Sequence, residues 1–175
     1  MGSRPGEVLK FCPKCGSGRF VYDGGKSFLC EECGFNYYIN SSSAVASVII
    51  NSQGEILLTI RAFEPQKGKL DLPGGFVDPM ESAEEAVRRE IKEELNLDIA
   101  EMRYLVSFPN EYVFKGFSVY TTDLAFICKV TDFNGIEAND DISGYRFVKP
   151  DEIDFDEISS DSIRDILRRY IDQFC

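Results

Sequence analysis

A chain of 175 residues, 43% hydrophobic and 28% charged, has the size and make-up of one globular domain or of one domain with a small appendage; disordered, collagen-like and coiled-coil chains are excluded. Nineteen Lys and Arg against thirty Asp and Glu leave a formal charge of -11, which argues against a protein that grips duplex nucleic acid by neutralising phosphates. There is no histidine, so Ser-His and Cys-His relays and imidazole zinc sites are excluded, and proton transfer falls to carboxylates, Lys, Tyr, Cys or metal-bound water.

The first residues carry no apolar stretch of the signal-peptide kind, and no run approaches the roughly 20 apolar residues that cross a bilayer; a cytoplasmic protein with no membrane partner is expected. Two CxxC pairs follow, Cys12 with Cys15 and Cys30 with Cys33, separated by 14 residues, while Cys128 and Cys175 stand alone. Each pair places two thiolates on one knuckle, and two knuckles complete the tetrahedral sulfur shell that Zn²⁺ prefers. Gly16 and Gly34 follow the pairs, as tight turns around a metal require. With all four positions filled by protein, this zinc supports folding and is closed to substrate. Residues 1–40 are therefore read as a zinc ribbon, and Asn40 to Ser43 as a short linker into a second domain over 41–175.

After the linker, Ala44 to Ile50 and Glu55 to Ile60 flank the turn Asn51 to Gly54 and are predicted to form a hairpin. Leu70 to Val77 reads as a strand broken at Pro73-Gly74-Gly75, where the backbone approaches something closely. Ser82 to Glu85 matches a capping box, starting a helix that runs to Leu95 with Asn96 as a left-handed cap. Strand-rich segments follow at 103–108, 112–114, 117–130 and 145–148, and Ile163, Ile166, Leu167, Tyr170, Ile171 and Phe174 mark a closing amphipathic helix. Mixed strands and helices give an α/β layered domain.

The helix after Ser82 carries the chemistry. Val87, Ile91 and Leu95 form an apolar line, and Glu90, Glu93 and Glu94 share the neighbouring face. Glu84 and Glu85 have Arg88 and Arg89 four residues on, the spacing of surface ion pairs; Glu90 and Glu94 have no basic residue at helical spacing. Unpaired carboxylates beside an apolar stripe repel one another, and an all-oxygen cluster suits Mg²⁺ or Mn²⁺.

Gly75 to Glu81, followed after seven residues by Arg89 to Leu97, resembles the Nudix box GX5EX7REUXEEXGU, with U aliphatic: eight of nine specified positions match over 23 residues, and the last glycine is Asn96. The resemblance implies a Nudix-like α/β/α sandwich with a mixed sheet, and the ribbon in front is similar to that of NADH pyrophosphatase-like members. It implies Mg²⁺ or Mn²⁺ held by Glu90, Glu93, Glu94 and the Gly75 carbonyl, with Glu81 and Arg89 supporting the loop. The implied reaction is hydrolysis of a pyrophosphate bond in a nucleoside diphosphate linked to another moiety, with a small nucleotide as partner. Glu93 or Glu94 is the general base, or a later loop supplies it from Glu137, Asp140 or Asp141. Dimers are common in the family, so a homodimer is one arrangement. NADH pyrophosphatases carry an S-Q-P-W-P-F-P-x-S motif where this chain reads Val106 to Tyr112 and has no tryptophan. The substrate therefore stays open among ADP-ribose-, NADH- and sugar-nucleotide-like compounds. Arg61 and Lys69 are candidates for a distal phosphate, and Phe108 and Tyr112 for stacking on a base. The alternative is a catalytically silent Nudix domain that binds a nucleotide or a protein partner.

Overall fold

The computed structural model describes residues 2–175. The chain divides into two compact units: the described residues up to Ser41 with Glu111–Tyr120, and Ser42–Asn110 with Thr121–Cys175.

In the first unit, a short helix α1 (Pro5–Val8) precedes strands β1 (Phe20–Tyr22), β2 (Ser27–Cys30) and β3 (Asn36–Tyr38), paired antiparallel in the order β1-β2-β3. One face of this sheet buries Phe20 and Phe28, stacked at 4.7 Å, together with Cys12 and Cys30. So few apolar side chains are a thin core for an autonomous unit, which is where a structural metal contributes most. The amides of Gly16 and Gly34 donate to the carbonyls of Cys12 and Cys30, closing the two knuckles. Ser3 bridges to Phe117 in the same unit.

The second unit is built on β4 (Ser42–Ile49), β5 (Ile56–Arg61), β6 (Leu70–Asp71), α2 (Ala83–Leu95), the greater part of β7 (Ile99–Phe114) and β8 (Phe117–Val130), whose residues 111–114 and 117–120 count with the first unit, β9 (Ile142–Val148) and α3 (Asp161–Phe174). The strands form two sheets, β4-β8-β7 and β6-β5-β9, with β4 parallel to β8 and β5 antiparallel to both its neighbours. Alternation along the strands splits the interior. Val45 and Ile49 of β4 and Leu57 of β5 join Ala86, Val87, Ile91 and Leu95 of α2 in one core. Ala46 and Val48, with Ile56 and Leu58, join Ile163, Ile166 and Leu167 of α3 in the other. One helix layer on each face of the strands gives the expected α/β/α sandwich with mixed strand pairing. Among the described residues no helix is long and apolar enough to cross a membrane.

Two expectations are corrected. β4 and β5 meet only at a bridge between Ile50 and Ile56 and then diverge into different sheets, because β4 is buried on both faces and takes β8 as its partner. The linker is shorter than read: Ser42 and Ser43 already pair with Thr121 and Thr122, through main-chain bonds that make no demand on side chains.

Candidate active site

Helix α2 starts where its cap is predicted. Ser82 Oγ accepts from the Glu85 amide at 3.3 Å and Glu85 Oε2 accepts from the Ser82 amide at 2.9 Å. Val87, Ile91 and Leu95 are fully buried against the sheets. That burial turns the adjacent acidic stripe partly inward. Glu94 is 5% exposed, the Glu90 side chain 12% and the Glu93 side chain 48%, so the three carboxylates run from core to solvent.

The Pro73 to Gly75 segment lies against β4. Ser47 N–H donates to Pro73 O and Val45 N–H to Gly75 O, both at 2.8 Å, leaving the Gly75 carbonyl a second lone pair. Gly74 is required by a backbone contact, and a side chain at Gly75 would displace the Glu90 carboxylate. A Cβ at Gly74, whose φ is 147°, would sit 2.1 Å from Val45 O, and one at Gly75 would sit 2.5 Å from Glu90 Oε1. The approach lets Gly74 N–H donate to Glu94 Oε2 at 3.1 Å. Burial pushes the Glu94 carboxyl up to about 8, opposed by the Gly74 amide and reinforced by the negative charges of Glu90, Asp71 and Asp141. Glu90 is raised too, chiefly by burial, with Arg89 opposing and Glu93 and Asp140 adding.

Arg89 is the cation of this region. Its Nε and Nη2 fork onto Glu81 at 2.8 and 2.9 Å, Nη1 donates to Glu90 at 2.7 Å and Glu93 at 3.1 Å, and Nη2 also donates to Phe76 O at 2.9 Å. Glu81 is held down at about 2, first by Arg89 and then by the Asp78 amide. Glu90 thus has a basic contact that helical spacing does not forecast, from its immediate neighbour. The surface pairs read for Glu84 and Glu85 do not form among the described residues: Arg88 donates to Ile99 O at 2.7 Å, and Glu85 closes the capping box.

The remaining candidates are dispersed. Arg61 Nη1 pairs with Asp71 Oδ2 at 3.0 Å, and its Nε donates to Pro65 O. Lys69 Nζ donates to Asp156 O at 2.9 Å. Phe108 packs with the α3-side core and lines a groove of about 600 Å³ with Asp165, Arg168 and Arg169. Tyr112 belongs to the first compact unit and stacks with Phe114 at 6.3 Å. Asp140 and Asp141 follow a loop fastened to the end of α2, where Glu137 N–H donates to Leu95 O and Asn139 N–H to Glu94 O. Sequence reasoning missed Asp71, a carboxylate between two buried leucines that also accepts from Ser159 Oγ at 2.9 Å.

Among the described residues one group of side chains has the mutual spacing of a metal cage. The sulfurs of Cys12, Cys15, Cys30 and Cys33 lie within 4.8 Å of one another, a set suited to zinc. The α2 glutamates are not drawn into a second such group among the described residues; of them Glu94 is nearly buried, has no basic side-chain partner among the described residues, and offers the hard oxygen donors that a divalent cation takes.

A family model described as NUDIX domain matches residues 41–170. Over 98 residues, 56% of this chain and 35% of the relative, the sequence is 32% identical to the NAD-capped RNA hydrolase NudC of Stutzerimonas stutzeri (strain A1501). Over 108 residues, 57% of this chain and 23% of the relative, it is 31% identical to the NAD-capped RNA hydrolase NUDT12 of Homo sapiens. The chain thus spans only 35% and 23% of the length of these two curated relatives. Among solved structures, a NUDIX hydrolase from Nitrosomonas europaea superposes with a TM-score of 0.72 at 24% identity, covering 95% of this chain and 92% of that one. The NUDIX domain of Shewanella oneidensis NrtR complexed with ADP ribose gives a TM-score of 0.63 at 16% identity, covering 78% and 90%. At these identities the superpositions speak for the fold.

Proposed function

The chain belongs to the NUDIX family, and from that premise we propose that it is a divalent-metal-dependent hydrolase that cleaves the pyrophosphate bond of a nucleoside diphosphate joined to another moiety. The observation that carries the reading is the buried Glu94 carboxylate, set among the negative charges of Glu90, Asp71 and Asp141 with the Gly74 main-chain amide as its donor. A fold without use for a cation gains nothing from that arrangement, since like charges repel most strongly where water is excluded.

Glu90, Glu93 and Glu94, with the free lone pair of the Gly75 carbonyl, would hold Mg²⁺ or Mn²⁺. Bound there, the ion would offset the charge of a polyanionic substrate and favour deprotonation of an attacking water. The protein's own part is positioning. Gly74 fixes Glu94 Oε2 and leaves Oε1 for the ion or a proton. Arg89 is committed to Glu81, Glu90, Glu93 and Phe76 O, so it builds the loop and is not available as a clamp on substrate. Proton acceptance falls to Glu93 or Glu94, or to Glu137, Asp140 or Asp141 on the loop at the end of α2.

For the substrate we propose a dinucleotide-type pyrophosphate of the NAD or ADP-ribose kind, supported by the likeness to NAD-capped RNA hydrolases and by the ADP-ribose complex of a fold neighbour. The proposed division is a zinc ribbon over 1–40 and the hydrolase domain over 41–175. A reducing, cytoplasmic setting keeps the four thiolates as ligands, and a homodimer is part of the proposal.

The deciding experiment is a panel of nucleoside diphosphate derivatives, including NADH, ADP-ribose, a sugar nucleotide and NAD-capped RNA, with Mg²⁺ or Mn²⁺ and product identification. Release of a nucleoside monophosphate is the expected product. Silence across the panel with nucleotide binding intact would replace the hydrolase by a binding domain.

A further inference from the structure

Asn96, the one departure from the box, closes α2 in the left-handed region with φ 54° and ψ 29°, and its amide caps Ile91 O and Lys92 O. Glycine would hold that conformation with less strain. What glycine lacks is the side chain, and here the side chain has a partner: Asn96 Nδ2 donates to Gly135 O at 3.2 Å. The direction of the bond is set by chemistry, since a carbonyl only accepts and Oδ1 carries no proton. A Cβ on Gly135 would meet nothing nearer than this same Nδ2, at 3.8 Å, so the loop backbone passes directly over the cap.

Two main-chain bonds flank it, Glu137 N–H to Leu95 O at 3.2 Å and Asn139 N–H to Glu94 O at 2.9 Å. Both acceptors are terminal carbonyls that a helix leaves without intrahelical partners. The end of α2 and residues 135–139 are thus joined by three hydrogen bonds, of which only the Asn96 bond depends on a side chain. Asp140 and Asp141 follow immediately, and the main chain of Asp141 is tied down in turn by Ala62 N–H at 2.9 Å.

We propose that Asn96 is a positioning residue whose side-chain amide locks the 135–141 loop onto the end of α2 and thereby sets where Asp140 and Asp141 stand relative to Glu90 and Glu94. Its consequence for rate rests on the hydrolase reading; its consequence for the loop does not.

Asn96→Gly restores the glycine of the box, keeps the left-handed cap and removes only the amide, so the variant folds. In the metal-free protein, hydrogen exchange at the Glu137 and Asn139 amides should accelerate about tenfold, while exchange inside α2 and the melting temperature hold. Asn96→Asp keeps the size and cannot donate to Gly135 O, so it should loosen the loop at least as much. Wild-type exchange in either variant overturns the proposal whatever the enzyme does. With the substrate found by the panel and Mg²⁺ or Mn²⁺ present, Asn96→Gly should lower kcat about tenfold with KM unchanged. That loss should vanish in an Asp140→Asn, Asp141→Asn background. A loosened loop with unchanged kcat in an active enzyme refutes the link to the site, and an inactive wild type refutes the hydrolase reading while the exchange result still decides the role of Asn96.

Discussion

Gly74 and Glu94 are joined by one hydrogen bond, amide to Oε2 at 3.1 Å, and that bond holds a carboxylate inside the core. Burial raises the Glu94 carboxyl from an ordinary 4.5 to about 8. Between those two values the folded state holds more protons than the unfolded state, so Glu94 makes stability fall as pH rises through the window, and the penalty is complete above about 8. Glu94→Gln keeps an acceptor for Gly74 and removes the charge. Metal-free Glu94→Gln should therefore melt higher than wild type at about pH 9 and like wild type at about pH 4. Its kcat should drop by about two to four orders of magnitude. A rate equal to wild type would remove Glu94 from the chemistry, and equal melting at high pH would remove it from the core's charge balance.

Arg89 and Glu81 form a two-pronged pair that only a guanidinium can make. Arg89→Lys keeps the charge and loses the fork, the Phe76 contact and at least one glutamate contact. The expected result is Mn²⁺ affinity weakened about tenfold, read by direct titration, with α2 intact by circular dichroism. Glu81→Gln should act in the same direction. Because Glu81 sits at about 2, its contribution to stability is full above 4.5 and lost as pH falls through about 2, so the Gln variant should show a flatter acid limb. Undiminished Mn²⁺ affinity in Arg89→Lys would show that the fork does not shape the loop.

What was legible in the sequence is local. Ser82, the apolar line Val87-Ile91-Leu95 and Asn96 place both ends of α2, since caps and periodicity act within a few residues. The same line tells Glu94 from Glu93: Glu94 lies three residues beyond Ile91 and is buried, whereas Glu93 faces out. Partner choice is not local. A run such as Ala44 to Ile50 announces a strand but not that Val45 pairs with Leu124 and not with its neighbour across the turn. Pro109 divides two predicted segments, yet β7 runs through it, because β7 is an edge strand and can lack an N–H on its open side. Arg61 with Asp71, and Asn96 with Gly135, meet through tertiary packing and leave no spacing signal.

Arg61 therefore has two roles to be separated. Asp71 accepts from Arg61 Nη1, from Ser159 Oγ and from the Leu72 amide, and burial raises its carboxyl against the pull of Arg61. Removing the cation leaves a buried charge with only neutral donors, so Arg61→Ala should cost about 3 kcal/mol in denaturant unfolding. Asp71→Asn in the same chain should recover part of the loss. A KM increase with unchanged stability would instead make Arg61 a substrate ligand. Lys69, bonded to an exposed main-chain oxygen, should cost less than about 0.5 kcal/mol as Ala.

The ribbon supplies the last test. Thiolates about 2.3 Å from a tetrahedral zinc stand about 3.8 Å from one another. Cys12 and Cys33 sulfurs are 3.8 Å apart and Cys15 and Cys30 sulfurs 3.7 Å, so two of the six sulfur pairs already have that spacing and all lie within 4.8 Å. With a core of little more than Phe20 and Phe28, the three short strands are predicted to depend on a bound ion. Chelation at neutral pH should release about one zinc per chain and erase the protection of the β1-β2-β3 amides, while α2 keeps its own. Cys30→Ser should bind zinc far more weakly and show the same selective loss. Full zinc content in Cys30→Ser would remove Cys30 from the ligand set, and protected ribbon amides after complete chelation would mean that the aromatic core alone holds the sheet.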